Sequence, residues 1–336
     1  MPTPLALAAF WGGLALMLAG ARLLPRGLDR LVRRLRSRPG HVGLLTALGA
    51  NSPEIAAAVA ALVSGSYEAG YGIVLGSNLF NLAALLGVAA LVAGRVDLRA
   101  AAVGLHGAVG LAVTLVAVVL VLGLVGPWVA AILVAAIFVP YVLLLGASPA
   151  RVERLPLPSD LSEALRESGG AEREREEELE EEAGPPFRRG GFPALLLASL
   201  GAIVVGSVGL LRGALVLGGR LGIPEILVGA LVLAFLSGLP NLYTSVRLAR
   251  AGRGRAVVSE ALNSNTLNVI VGISLPALVF GISDVGGGIR LEAWWLFGLS
   301  ALAIGLTARG GGLRRPGGAL IVLLYLAFVA VRVAIT

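Results

Sequence analysis

Ten apolar runs, each close to twenty residues, follow one another along this chain: 3–24, 41–64, 71–93, 101–124, 127–147, 192–217, 223–248, 256–281, 291–308 and 317–335. A helix rises 1.5 Å per residue, so roughly 20 mostly apolar residues cross a hydrocarbon core of about 30 Å. Ten such runs in 336 residues are more apolar surface than a soluble core can hold. Only 14% of residues are charged, and they collect between the runs; a soluble domain carries about a quarter. The expected fold class is an all-α polytopic membrane protein, and the lipid bilayer is its first partner.

The charge distribution sets the orientation. The net charge of +7 comes with no lysine, so all 27 basic residues are arginines. They sit at the ends of the apolar runs rather than on one face, which argues against a nucleic-acid partner. With the N-terminus outside, the inner loops take seven arginines from Arg22 to Arg38, two at Arg95 and Arg99, and seven from Arg151 to Arg189. They also take four from Arg247 to Arg255 and three from Arg309 to Arg315, which leaves only Arg212, Arg220, Arg290 and Arg332 outside. Cytoplasmic loops are enriched in arginine and lysine, so the N-out arrangement is expected, with residues 149–191 in the cytoplasm. The first run lacks a charged n-region and is followed at once by arginines, as in a retained span rather than a cleaved signal. The expected location is a prokaryotic inner membrane. With no cysteine in the chain, disulfide and thiol chemistry are excluded.

The chain resembles itself. A shift of 187 residues lays 44–87 on 231–274 without a gap. Leu44, Ala47, Pro53, Val59, Gly65, Ser77, Asn78 and Asn81 fall on Leu231, Ala234, Pro240, Val246, Gly252, Ser264, Asn265 and Asn268. The loop within the first copy, 65–70, has no arginine, whereas its counterpart at 247–255 has four. The same loop therefore lies on opposite sides of the membrane in the two halves, and five spans per half enforce that inversion. The expected organisation is a five-helix repeat at 1–148, a charged cytoplasmic linker at 149–191 and a second five-helix repeat at 192–336. The linker, with Pro156, Pro158, Pro185, Pro186 and the acidic run Glu172–Glu182, reads as a solvated, partly helical segment.

Chemistry-bearing residues cluster in the matched segments. Residues 46–54 read TALGANSPE inside an apolar run, and Glu54 is the one carboxylate that the sequence places near the bilayer midplane. A charge there costs at least about 3 kcal/mol, so it marks a functional site. Pro53 has no N–H and displaces the carbonyl at Gly49, which predicts a broken helix with free carbonyl oxygens. Gly238 and Pro240 in LAFLSGLPN predict the same break in the second half. Hard cations take oxygen ligands of this kind. Ser77 and Asn81 in GSNLFN share a helix face, as do Ser264 and Asn268 in NSNTLN. Inverted repeats with interrupted helices at matching positions are the mark of secondary transporters.

TALGANSPE followed by GSNLFN resembles the first alpha repeat of the sodium/calcium exchanger superfamily, and LAFLSGLPN followed by NSNTLN resembles the second. The flanking ALMLAGARLLPRG and VGSVGLLRGALVLGGRLGIPEILVG resemble the family's long gating helices. The resemblance implies a ten-helix antiporter with ion sites where the repeats cross, transported Na⁺, Ca²⁺ or H⁺ as ligands and no cofactor. By motif position it implies ion-binding places at Ala47, Ala50, Asn51, Glu54, Ser77 and Asn81, and at Ala234, Ser237, Gly238, Asn241, Ser264 and Asn268. The pattern departs at Ala50–Asn51, where the family has Thr-Ser, and at Ser237–Gly238. Asn241 stands where a second acid is expected, and Asn268 where exchangers often have aspartate. With Glu54 alone, a bound Ca²⁺ leaves a net positive charge in a poorly hydrated cavity, whereas one Na⁺ or one proton neutralises the site.

The expected function is therefore exchange of Ca²⁺ or another cation against Na⁺. The alternatives are proton-coupled or monovalent exchange and a non-transporting sensor or scaffold. An enzyme is not expected. There are two histidines, His41 at a span mouth and His106 alone in the fourth run, both read as packing or interfacial residues. The sequence has no phosphate loop, dinucleotide fingerprint or paired carboxylates.

Overall fold

The structure, a computed structural model, describes residues 1–35, 39–97, 100–147, 152, 154–183, 192–281, 287–309 and 311–335. Among the described residues, twelve helical segments position the site: α1 (Thr3–Leu35), α2 (Pro39–Ala50), α3 (Ser52–Val63), α4 (Tyr67–Ala93), α5 (Ala100–Val121) and α6 (Pro127–Leu145). They continue with α7 (Ser159–Ala183), α8 (Phe192–Arg220), α9 (Glu225–Arg250), α10 (Gly254–Phe280), α11 (Gly287–Arg309) and α12 (Arg315–Ala334). Among the described residues, nine are long and apolar enough to cross a membrane. A bent pair, Leu44–Ala50 with Ser52–Val63, makes a tenth. The ten expected spans are there, and the protein is an integral membrane protein.

Helices α4 and α10 form the core. Each is buried along most of its length, and the halves interlock around them: α4 packs on α9, and α10 packs on α2. Their apolar side chains (Tyr71, Ile73, Leu75, Leu79, Leu82, Val257, Val258, Val269, Ile273) join one continuous hydrophobic cluster. Both helices widen to π-helical turns just past their polar stretches, at Leu82–Val88 and Ile270–Ser274.

Helices α1 and α8 cross outside this core. α1 continues through Pro25 beyond the expected end of the first run, carrying arginines out of the apolar zone. A proline costs a helix one hydrogen bond but does not end it when the flanking turns hold. The crossing depends on glycine. A Cβ added at Gly13 would lie 2.3 Å from the Leu210 backbone nitrogen, and one at Gly206 would lie 2.4 Å from that of Met17. Small residues let membrane helices approach backbone to backbone. A two-residue antiparallel pairing of β1 (Arg95–Val96) with β2 (Leu313–Arg314) ties the end of α4 to the start of α12.

The acidic linker departs from expectation. Residues 159–183 form a single helix, α7, that lies against α1, α2, α5 and α10 rather than standing in solvent. Ala164, Leu165, Ser168 and Ala171 are buried on its inner face. Its glutamates hold the start of α10: Arg255 Nε donates to Glu174 at 2.6 Å and Arg253 donates twice to Glu181. The Ala256 backbone N–H also donates to Glu174, at 3.0 Å. The run is polar on average, yet one face packs while the other binds arginines.

Candidate functional site

The bend between α2 and α3 follows from three consecutive residues. Asn51 sits at φ −87°, ψ 0°, between helical and extended backbone, and α3 restarts at Ser52 with Pro53 in its first turn. The two segments meet at 59°. Pro53 leaves the Gly49 carbonyl without a helical donor, but the Ser52 hydroxyl donates to that carbonyl at 2.7 Å. The expectation of an open carbonyl is corrected here: the break supplies its own donor. Glu54 also lies in the first turn of α3, where the helix N-terminus favours a carboxylate.

The second half does not repeat the break. α9 runs through Pro240 as helix interior, after a π-helical turn at Val228–Leu233. The residue preceding Pro240 is Leu239, which cannot cap a freed carbonyl as Ser52 does. The Ser237 hydroxyl instead bonds back to the Leu233 carbonyl at 2.7 Å, an arrangement that bends a helix without breaking it. The two expected breaks are thus one break and one continuous helix.

Of the residues singled out by sequence, Glu54, Asn51, Asn241 and the backbone of Ser264 are brought into direct contact. Ala47, Asn51, Glu54, Ser77, Asn81, Ala234, Ser237, Asn241, Ser264 and Asn268 are all buried. The Asn241 amide donates to Glu54 Oε1 at 3.4 Å and to Asn51 Oδ1 at 3.5 Å. The Asn51 amide donates to the Ser264 backbone carbonyl at 3.2 Å. The Gly238 backbone faces Glu54, so that a Cβ there would stand 3.8 Å from Oε1. One oxygen of Glu54 and both amide atoms of Asn81 and of Asn268 are buried without a protein hydrogen bond. Buried polar atoms without partners are uncommon, and here they concentrate where the halves meet. The Ser77 hydroxyl turns back to the Val74 carbonyl at 3.1 Å. The Ala47 carbonyl accepts from Asn51 N–H at 3.0 Å, which occupies one of its two lone pairs.

Three features were missed by sequence reasoning. Glu54 is not the only buried acid: Glu260, on α10, and Glu292, on α11, are buried too. Glu292 accepts from Arg332 Nε at 3.1 Å, an ion pair between α11 and α12. Glu260 sits one helical turn before Ser264, whose hydroxyl is 3.5 Å from Glu260 Oε1. The spacing 260–264–268 was a readable signal, hidden by Glu260's place near the start of its apolar run. His106 does not stand alone either. Its ring nitrogens lie 2.6 Å from the Tyr141 hydroxyl and 2.9 Å from Ser168 Oγ, and Tyr141 donates to Asn263 at 2.7 Å. The histidine thus fastens α7 to the core through α5, α6 and α10. The side chain of His41 lies outside the described residues.

Among the described residues, no three histidine, aspartate or glutamate side chains cluster as a resident metal site would need. The crossing offers amides, hydroxyls and a carboxylate in a dry interior. That donor set suits transient coordination of a hard cation.

The sequence profile of the sodium/calcium exchanger protein family matches residues 5–147 and 191–334. The mouse (Mus musculus) sodium/potassium/calcium exchanger 2 is 36% identical over 97 residues, 29% of this chain and 15% of that protein. The sodium/calcium exchanger MaX1 of Methanosarcina acetivorans is 25% identical over 145 residues, 42% of this chain and 41% of that protein. The chain thus matches well under half the length of either relative. Among solved structures, the H⁺/Ca²⁺ exchanger CAX superposes with a TM-score of 0.70 at 15% identity, covering 98% of this chain and 86% of that one. The sodium–calcium exchanger NCX_Mj, soaked with 10 mM Na⁺ and 10 mM Sr²⁺, superposes at 0.62 with 21% identity, over 98% and 99%. At these identities the likeness is one of fold.

Proposed function

We propose that this chain, which belongs to the sodium/calcium exchanger protein family, is a secondary active cation antiporter that binds its ions where α3 and α9 meet α4 and α10. The carrying observation is the buried Glu54 carboxylate, 3.4 Å from Asn241 and with its other oxygen unbonded, together with the buried amides of Asn81 on α4 and Asn268 on α10, which the protein leaves without hydrogen bonds. A cation and its residual water would satisfy these groups together. On this reading the ligands are Glu54, Asn51, Ser77, Asn81, Ser237, Asn241, Ser264 and Asn268, with the carbonyls of Ala47 and Ala234. The protein would be a transporter, not an enzyme. The arginine distribution supports an N-out orientation in a prokaryotic inner membrane, with α7 on the cytoplasmic face.

The mechanism follows from the layout. The core built on α4 and α10 stays fixed, and α1 with α8 slides across it to open one side at a time. A cavity of about 680 Å³ lies between α1 and α9, lined by Leu18, Arg22, Pro240, Tyr243 and Arg247. It reaches Pro240, next to Asn241, from the Arg22 and Arg247 side. It therefore supports an approach to the site from the cytoplasm.

Calcium against sodium is the first reading of the ion pair. Asn241 favours a second, in which one Na⁺ or one proton balances the single central carboxylate. An ion-panel flux assay in liposomes, varying Na⁺, Ca²⁺, K⁺ and pH with Glu54→Gln alongside, separates them. Sodium-driven Ca²⁺ uptake with several Na⁺ per Ca²⁺ and no pH dependence sinks the second reading. No flux of any cation sinks antiport and leaves a sensor or scaffold.

A further inference from the structure

A second cavity, of about 750 Å³, lies between α3 and α8. It is the counterpart of the cavity between α1 and α9. Leu239, Tyr243 and Arg247 line that one, and 187 residues earlier Ser52, Ala56 and Ala60 line this one. The inverted repeat therefore places it toward the face that the arginine count puts outside. Its chemistry does not follow the symmetry. Where the cytoplasmic cavity has a phenol and a guanidinium, this one has two alanine methyl groups. Leu48, Ile55, Val208 and Leu215 complete an apolar wall that has little to offer a hydrated cation.

One cation interrupts that wall. Arg212 on α8 lines the cavity, and among the described residues it has no hydrogen-bond or ion-pair partner. None of the described residues that line the cavity with it is acidic. Arg220, at the outer end of the same helix, is by contrast tied to Thr3 and to the Met1 carbonyl. Arg212 lies eight residues before Arg220, so it stands about 12 Å deeper along the axis. An unpaired arginine inside an apolar run is costly, and its long stem lets the guanidinium rise toward the headgroups. Val63 and Val204, which also line the cavity, are exposed, so the groove is open to the surrounding membrane.

We propose that this groove holds an acyl chain of an anionic phospholipid from the outer leaflet, with the lipid phosphate on Arg212. An apolar trough with one unanswered cation toward its outer end matches the two parts of that ligand. Guanidinium pairs with phosphate oxygens through two parallel hydrogen bonds. A zwitterionic lipid offers the same phosphate, but its ammonium finds no carboxylate among the lining residues. The chain would run inward from Arg212 to Ser52, which is two residues from Glu54 and caps the break between α2 and α3. The site stands apart from the antiport reading; only its effect on transport rests on that reading. A lipid here fills the place where the outer route would open, so it must leave before α8 slides.

The test uses the full chain in detergent micelles, with phosphatidylglycerol and phosphatidylcholine of identical acyl chains as probes, for wild type, Arg212→Gln, Arg212→Lys and Arg290→Gln. Native mass spectrometry measures bound lipid, a photoreactive diazirine on the acyl chain marks where it lies, and melting checks folding. Wild type is expected to hold one phosphatidylglycerol about tenfold more tightly than phosphatidylcholine, with the label on residues 48–64 and 204–215. Arg212→Gln should cut that preference to within about twofold, and Arg212→Lys should keep most of it. Arg290→Gln removes an outer arginine that does not line the groove, and should leave the preference unchanged. No preference in wild type, or a label lying elsewhere, overturns the proposal and needs no variant that folds. An equal loss in Arg290→Gln overturns it in favour of general attraction to outer charge. Cation flux in liposomes reads the consequence: phosphatidylglycerol added to phosphatidylcholine should slow it in wild type and not in Arg212→Gln. Flux indifferent to the added lipid overturns the effect on transport. No flux of any cation defeats the antiport reading instead, and lipid binding still decides the site.

Discussion

Asn78 and Asn265 each donate a side-chain amide to the other's backbone carbonyl, at 3.2 and 3.1 Å. They are 187 residues apart, the same offset that aligns the two halves of the sequence. The pair therefore lies on the pseudo-twofold axis, where a residue meets its own counterpart. Such a contact joins α4 to α10 immediately beside Ser77 and Ser264, and it fixes the spacing of the two polar faces.

Alanine at either position should cost similar stability. Each substitution deletes one side-chain hydrogen bond to a backbone carbonyl inside a helix, a loss of about 0.5–1.5 kcal/mol. The double variant should cost less than the two losses added, because both residues form one contact. Melting of the purified protein in detergent checks this. A silent variant beside a damaging one would show that the pair is not the symmetric link described.

Restoring an acid at Asn241 should change the ion preference. The amide is 3.4 Å from Glu54 Oε1, so Asn241→Asp brings a second carboxylate against the first. Ca²⁺ affinity is expected to rise about tenfold or more, equivalent to roughly 1.4 kcal/mol. Without a divalent ion, the paired charges should lower the melting temperature, and added Ca²⁺ should restore it. Equilibrium Ca²⁺ binding with melting curves tests both parts. An unchanged affinity would place the ion elsewhere.

Much of this site was legible because its logic is local and repeated. The Asn78/Asn265 and Ser77/Ser264 matches sit in gapless register, and a polar residue inside an apolar run has few uses in a membrane. What stayed hidden depends on single side chains or on distant partners. Ser52 and Leu239 occupy matching positions, yet only the hydroxyl can cap a freed carbonyl; one helix breaks and the other runs on through its proline. The docking of α7 was illegible because its inner face, Ala164 to Ala171, is small and interrupted by charges. Those charges find Arg253 and Arg255 some 70 to 80 residues away. Glu260 was overlooked because acids near a span end usually reach water, and only its burial shows that this one does not.

The α1–α8 crossing should be the part least tolerant of side-chain growth. At Gly206 a new Cβ would stand 2.4 Å from the Met17 backbone nitrogen, so even alanine must push the helices apart. Gly206→Ala is expected to lower cation flux about tenfold or more while leaving equilibrium cation binding within about twofold, because the site lies on other helices. Flux and binding measured on one preparation distinguish this from misfolding. Unimpaired flux would mean that the close approach is not needed for movement.

The docking of α7 should weaken in acid. Glu181 accepts two hydrogen bonds from Arg253, and those bonds hold its carboxyl below the ordinary value of 4.5. A carboxyl with a lowered folded-state pKa contributes stability above its unfolded value and loses it as pH falls through the folded one. Above about pH 5 the contact is complete, so small pH changes near neutrality should not release the helix. Acidification below 4.5 should. Glu181 is exposed, so salt should also loosen the contact. Hydrogen exchange across residues 172–183 reads this directly: exchange should rise below pH 4.5 after correction for intrinsic rates. Arg253→Ala should raise it already at neutral pH, whereas Ser168→Ala should open the His106 end of the helix instead. If Arg253→Ala leaves protection unchanged, the helix is held by its buried face and the Glu174 contacts, and the Glu181 pair adds nothing.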